Sequence, residues 1–511
     1  MIANINSTGL YGIEGYTINV ESSVGRGYPS LEIVGLPDAS VRESKERIRS
    51  AIEKCGFKMP AVKIVVNLAP ADIKKEGAYL DLPIALSILA ASGQIAADGL
   101  EDCSFMGELS LSGDLRHVNG ALPMAICAYQ AGRKRVFLPL ENAEEAAMVE
   151  GLEVYGVKNL NQIMDHLSGV NRLSPVKVDI ESAFSKKNKL MPDFNQVKGQ
   201  KNAKRAIEVA AAGGHNMLFI GPPGSGKTML ARRIPSILPD MTFDEALEVT
   251  KIHSIAGCLP KGEPIVGERP FRSPHHTISA VGLSGGGSYP KPGEISLSHN
   301  GVLFMDELPE FRRDALEVMR QPLEDGVVTI SRVNGTITYP CNIMLVASMN
   351  PCPCGYYNDA KHECICSQQK IAKYLNKVSG PLLDRIDLHI EVPAVEYSEL
   401  EKKSDNEESS ADIKKRVDKA RRIQNERYKG TGIFSNSNLT PDMMEKYCEL
   451  DEDTNRLLRD AYDKLGLSAR AHNRILKVAR TIADLDGSEK IKTLHVVEAI
   501  QYRALDRKFW R

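Results

Sequence analysis

Gly221-Pro222-Pro223-Gly224-Ser225-Gly226-Lys227-Thr228, entered from Met217-Leu218-Phe219-Ile220, is the stretch whose reading decides the fold. The four apolar residues predict a buried strand, and Met229 to Arg233 on the other side predict a helix. Strand, glycine-rich turn and helix start together make a phosphate-binding loop. Glycines let backbone N–H groups converge on phosphate oxygens, and the helix N-terminus adds a favourable dipole. Gly221 to Gly226 form the cradle, Lys227 reaches the β- and γ-phosphates, and Thr228 holds Mg²⁺. The expected ligand is a nucleoside triphosphate.

Working outward, Gly301-Val302-Leu303-Phe304-Met305-Asp306-Glu307 is an apolar strand ending in two carboxylates. Asp306 would orient Mg²⁺ through its water shell, and Glu307 would be the general base for the attacking water. A further strand, Ile343 to Met349, ends in Asn350.

At 511 residues the chain exceeds one hydrophobic core, and length alone predicts about three domains. Hydrophobic residues at 42% and charged residues at 26% describe an ordinary soluble composition. The formal net charge of −1 excludes a global basic field. Any nucleic-acid contact must come from a local patch or from a surface assembled between subunits. The start, Met1 to Asn6, lacks the pattern of a signal peptide, and Leu82 to Ala91 is too short an apolar run to cross a bilayer. No membrane partner is expected. Ten cysteines without a secretory signal point to the cytoplasm, holding reduced thiols or metal.

Residues 1–167 mix half-buried strands (Tyr16 to Glu21, Leu31 to Leu36, Val62 to Leu68) with helical spacing over Ser40 to Cys55 and Asp81 to Ser92. That mixture predicts an α+β domain. Gly107-Glu108-Leu109-Ser110-Leu111-Ser112-Gly113-Asp114-Leu115, then Gly120 and Arg135 to Pro139, resemble the Lon protease catalytic domain. Lys74-Lys75-Glu76-Gly77 resembles the segment before that family's nucleophilic serine. The serine's place falls on Tyr79 and the catalytic lysine's on Leu122, so the resemblance implies a scaffold without a protease dyad. Ser87 and Ser92 nearby lie in an apolar helical pattern and read as core or surface serines.

Residues 168–192 are polar and read as a linker, with Lys186 to Lys189 its basic run. Residues 193–400 hold the phosphate loop and read as a parallel-sheet α/β core. Val197-Lys198-Gly199-Gln200 resembles the adenine-contacting box of AAA+ ATPases, which implies that Val197 and Gln200 bind nucleotide. The same resemblance makes Asn350 the sensor that orients water. Gly380-Pro381-Leu382-Leu383-Asp384-Arg385-Ile386-Asp387 resembles the arginine-finger segment of magnesium-chelatase and replicative-helicase ATPases, which implies that Arg385 reaches the γ-phosphate of a neighbouring subunit. A local salt bridge with Asp384 or Asp387 is the alternative for Arg385.

Two insertions interrupt this core. One spans Arg272 to Ser298, through His275-His276, Gly285 to Ser288 and Lys291-Pro292-Gly293. The other, Gly326 to Thr338, places β-rich arms on both sides of Asn334-Gly335 and predicts a hairpin. Both occur where magnesium-chelatase and minichromosome-maintenance ATPases carry pore hairpins, and Lys291 and Arg332 are the candidate DNA contacts. For His275-His276, hydrogen bonding within the insertion is favoured over metal binding. Cys352-Pro353-Cys354 and Cys364-Ile365-Cys366 bracket a short loop. Four thiolates at this spacing would close a tetrahedral zinc site, and a loop of free thiols is the equal alternative.

Residues 401–511 predict a helical lid. Asp412 to Lys429 carries eight Lys and Arg residues and reads as a solvated helix face, with a phosphate-contacting helix as the sharper alternative. Leu467 to Leu476 resembles the helix bearing the second AAA+ sensor. Arg470 matches the sensor position best, and Arg474 is the fallback. Taken over nearly its full length, the chain resembles the YifB/ComM family of magnesium-chelatase-like AAA+ ATPases. The resemblance implies an ATP- and Mg²⁺-dependent homohexameric ring motor acting on branched or single-stranded DNA in branch migration during natural transformation. A chelatase-like or Lon-like motor that remodels a protein partner stays open beside it.

Overall fold

The computed structural model describes residues 1–96, 99–185, 191–260, 262–287, 290–332, 335–359, 361–395 and 407–510. The chain divides into two compact units. One joins Met1–Lys187 to Phe243–Gly267, and the other joins Asn188–Thr242 to Glu268–Arg511.

The first unit is α+β. Strands Ile2–Tyr11 and Glu14–Gly25 pair antiparallel from Ile2 opposite Ser23 to Tyr11 opposite Glu14. Lys63–Ala69 joins the second strand antiparallel and Ser30–Val34 parallel, completing a four-stranded sheet. Alternation puts Ile18, Val20, Ile64, Val66 and Leu68 in the core. Helix Ala39–Lys54 is capped by the Asp38 carboxylate and buries Val41, Ile48 and Ile52, the stripe visible in the sequence. Helix Asp81–Ala91 is buried all round, as its mostly apolar composition demands. A second sheet of three parallel strands, Cys103–Phe105, Arg135–Pro139 and Glu153–Val157, stacks Phe105, Phe137 and Tyr155 on one another.

Phe243–Gly267 lies within the span 193–400 that the sequence reading kept together, yet it packs in the first compact unit. Helix Phe243–Ala256 buries Ala246, Val249 and Ile252 and packs on helix Ala121–Gln130. Its end is tied in by hydrogen bonds. Ser254 Oγ donates to the buried Glu145 carboxylate, and Gly120 N donates to Ser254 O at 3.2 Å. Apolar spacing alone does not say which core receives a helix.

The second unit is built on five parallel strands in the order Phe271–Arg272, Val302–Met305, Met344–Met349, Met217–Ile220, Leu388–Glu391. The middle three strands are buried along their whole length, which is why they read as unbroken apolar runs rather than alternating ones. Helix Lys201–Gly213 and the C-terminal helices Ser410–Arg427, Ala469–Leu485 and Thr493–Gln501 share one apolar core with this sheet. The lid is helical, as expected.

Strands Val327–Arg332 and Gly335–Pro340 form the expected hairpin, closing at Arg332 opposite Gly335. Its turn residue Asn334 lies outside the described residues, as do Ser288, Lys186 to Lys189 and the charged connection from Glu401 to Asn406. A second, shorter hairpin pairs Gly285–Gly286 with Lys291–Pro292. Among the described residues, no helix is long and apolar enough to cross a membrane.

Candidate active site

Parallel strands deliver their following residues to one edge of the sheet. Ile220 lies opposite Met349, and Met305 lies opposite Ala347. Gly221, Asp306 and Asn350 therefore emerge side by side. Gly221 has no room for a side chain, since a Cβ there would sit 2.1 Å from Val392 O. Gly224 and Gly226 turn at φ 74° and 89°, which a side chain would oppose.

Lys227 Nζ donates to Gly221 O at 2.8 Å, Pro222 O at 2.9 Å and Asn350 Oδ1 at 3.2 Å, with Ser225 Oγ at 3.4 Å. Burial pushes its pKa down to about 8, against the pull of Asp306 and Glu307 in the other direction. An ammonium that spends its hydrogen bonds on loop carbonyls is placed to exchange them for phosphate oxygens. Thr228 Oγ1 donates to Asp306 Oδ2 at 2.7 Å, and Ser348 Oγ donates to Asp306 Oδ1. A hydroxyl and a carboxylate converging beside a lysine are hard oxygen donors of the kind Mg²⁺ takes, so the residues fit the Mg–nucleotide that the sequence implies. Bound there, it would supply the electrophilic phosphorus, and Thr228, Asp306 and Lys227 would hold it. Ser348 escaped the sequence reading, although its place two residues before Asn350 on the same strand face was a usable signal.

Glu307 adopts φ 55°, left-handed backbone that costs a non-glycine residue energy. The turn swings its carboxylate out of the sheet, where it meets His276 Nδ1 at 3.3 Å. His275 stays within the insertion, bonding Thr277 Oγ1 at 2.9 Å. His276 is thus the exception to the expectation that both imidazoles bond internally, because the exposed Glu307 carboxylate lies within its reach.

Gln200 Nε2 donates to Pro393 O at 2.7 Å and Ser225 O at 3.5 Å, beside the loop. Val197 is placed differently from Gln200. Its side chain is fully buried in the core with Phe194 and Ile207, because a branched apolar side chain gains more by burial there than at an open pocket wall.

Arg385 lies away from the phosphate loop of its own chain. Leu388 lies opposite Met217 at the far end of the strand pair, so Arg385 sits at the opposite edge from Gly221, about 13 Å or more away at the usual strand rise. Arg385 is 7% exposed. Nη1 donates to Pro381 O at 2.7 Å, Nη2 pairs with Glu324, and the buried Nε has no partner among the described residues. Glu324 is the anion that it meets. The local alternative, Asp384 or Asp387, is not the partner. Asp387 is fully enclosed. Burial raises its pKa, but Arg474 and His215 overcome that and hold it well below the carboxylate range. Arg474 thereby becomes a clamp, bonding Asp387 and Arg385 O (3.1 Å), while Arg470 stays exposed. The Arg385 guanidinium beside Glu324, with Arg470 and Arg474 acting from farther off, keeps that carboxyl below its usual range. Glu324 gave no sequence signal.

Lys291 and Arg332 are both exposed, and the two hairpins adjoin. A Cβ built on Gly286, the partner of Lys291, would lie 3.5 Å from Arg332 Nη2, and Tyr339 Oη donates to Pro290 O at 2.6 Å. The basic helix Ser410–Arg427 is different, since much of its charge is consumed internally. Lys414 reaches Asp240 at 2.7 Å, Arg416 pairs with Glu208 and Glu408, and Arg427 meets Asp484 at 2.9 Å. In the other unit, Tyr79 accepts from Leu10 N at 3.4 Å, and Leu122 is fully buried. Ser87 is a core serine, 2.6 Å from Ser22 Oγ. Cys352, Cys354, Cys364 and Cys366 converge.

Comparison with known proteins agrees with this geometry. Residues 193–400 match the family model for magnesium chelatase subunit ChlI. Residues 20–142 and 407–503 match two further ChlI models, the latter its C-terminal part. The chain is 45% identical over 510 residues to competence protein ComM of Haemophilus influenzae, covering 99% of this chain and 98% of that protein. It is 43% identical over 509 residues to the uncharacterized protein YifB of Salmonella typhimurium, covering 99% and 98%. Lon protease 2 of Bacillus subtilis is 26% identical over 148 residues, 29% of this chain and 26% of that protein. Full-length identity, the three ChlI matches and the phosphate-loop sheet place the chain in the YifB/ComM family of magnesium-chelatase-like AAA+ ATPases.

Proposed function

We propose that six copies of this chain form a ring that hydrolyses ATP between neighbours and drives branch migration of DNA. The observation that carries the ring is the separation of Arg385 from the phosphate loop of its own chain. Each copy presents Lys227, Thr228, Asp306, Glu307 and Asn350 at one sheet edge and Arg385 at the other, so two copies complete one site. Lys227 and Thr228 hold the nucleotide with Asp306, Glu307 takes the proton of the attacking water that Asn350 orients, and the neighbour's Arg385 neutralises the charge developing on the phosphoryl group. Arg385 must leave Glu324 to do so.

DNA as the track rests on exposed Lys291 and Arg332 at adjoining hairpins, which six copies would gather around a pore. A relative named for competence supports the same choice. The test compares ATPase stimulation by branched DNA, by single-stranded DNA and by unfolded polypeptide, with strand exchange on a labelled junction alongside. DNA stimulation with ATP-dependent strand exchange is expected. Stimulation by polypeptide and not by DNA would replace branch migration with protein remodelling.

A further inference from the structure

The cysteine loop sits on the phosphate loop, and its four sulfurs face one another. The Sγ atoms of Cys352, Cys354, Cys364 and Cys366 all lie within 4.8 Å of each other. Cys352 is 3.3 Å from Cys354 and 3.7 Å from Cys364, and Cys354 is 3.6 Å from Cys364. A tetrahedral zinc with bonds of about 2.3 Å separates its sulfurs by about 3.8 Å. A disulfide needs about 2.05 Å, and all four cysteines are free. Iron–sulfur clusters, which put more than one metal between the thiolates, need a wider cage than this.

Backbone N–H groups face the sulfurs. Backbone N–H groups of Gly355 and Tyr357 bond Cys352, those of Tyr356 and Ile365 bond Cys354, and that of Cys366 bonds Cys364. Such donors stabilise sulfur charge and orient the ligands. Free thiols, weak donors and acceptors, gain little from being crowded at these distances. Gly355 turns at φ 89°, and a Cβ there would lie 2.4 Å from Pro223 Cδ in the phosphate loop. Cys352 follows Asn350 by one residue, Pro351, on the chain leaving the same strand.

We propose that Cys352, Cys354, Cys364 and Cys366 bind one Zn²⁺ as a closed, structural tetrathiolate site that holds Gly355 against Pro223 and so supports the phosphate loop. Binding replaces four thiol protons with the metal and involves no electron transfer. The metal site is independent of the proposed function, whereas its support of nucleotide binding rests on that reading.

Elemental analysis of full-length protein purified without chelator is expected to find about one zinc per chain. Titrating the thiols with a mercurial, in the presence of a zinc indicator, should release the metal. Cys364→Ser/Cys366→Ser should lose the zinc, and Cys258→Ser, outside the cluster, should keep it. Protein that carries no zinc and takes none up from solution overturns the site, whether or not the serine variant folds, and stoichiometric iron overturns the choice of metal. Mg-ADP affinity measured before and after metal removal tests the support separately. Weakened binding is expected, and unchanged affinity overturns the supporting role.

Discussion

The two edges of the five-stranded sheet carry opposite halves of the proposed chemistry, and they are built differently. At the loop edge, Lys227, Thr228, Asp306 and Asn350 already contact one another, held by strand ends and a glycine turn. At the other edge, Arg385 is folded onto Glu324, Arg474 is locked to Asp387, and Arg470 is exposed. The first half is preorganised within one chain. The second is paired within its own chain, and in the proposed ring it would serve the nucleotide of a neighbouring copy. The difference teaches that an arginine placed far from the phosphate loop of its own chain is a candidate for a neighbour's site.

The sharpest way to break this comparison is Arg385→Ala. Loss of an arginine finger costs about 10³–10⁵ in rate, so the variant should be nearly inactive. Mixing it with Lys227→Ala protein should restore part of the activity, at interfaces that pair an intact loop with an intact arginine. ATPase measured across mixing ratios, once mixed rings are verified, decides the matter. Background activity at every ratio would show that the edges do not work together.

Glu307→Gln tests the loop edge alone. The amide keeps the shape and loses the base, so turnover should fall by about 10²–10⁴ with Mg-ATP binding retained. Near-normal multiple-turnover hydrolysis would assign the base elsewhere.

The track is separable from both edges. Lys291→Glu with Arg332→Glu should weaken DNA binding and reduce its salt slope by about one for each phosphate that is no longer neutralised. Basal ATPase should be unchanged. Unaltered DNA affinity with the oligomer intact would move the DNA interface away from the hairpins.

The smallest effect concerns protons. Lys227 has a pKa of about 8 in the free site, and phosphate charge favours its protonated form, raising that value on binding. Between the two values the complex therefore holds more protons than the free protein. Mg-ADP binding near pH 8 should take up about half a proton, and affinity should fall as pH rises through the free-site value. Calorimetry in buffers of different ionisation enthalpy measures the uptake. A binding enthalpy independent of buffer would place Lys227 already fully charged in the free site.

The chain's own sequence determined the phosphate loop, the Asp306–Glu307 and Asn350 strand ends, the hairpin of Val327–Arg332 and Gly335–Pro340, the helical lid and the missing protease dyad. Each depends on neighbours along the chain: an apolar run meeting glycines, carboxylates at a strand end, or a residue type that lacks the required atom. Only the tertiary structure sent Phe243–Gly267 to the other unit, buried Val197, drew His276 to Glu307, consumed the charge of Ser410–Arg427, and set Glu324 on Arg385. It also closed the distance between the two cysteine pairs. Burial and charge pairing depend on which surfaces meet, and residues distant in sequence carry no local periodicity that announces the meeting.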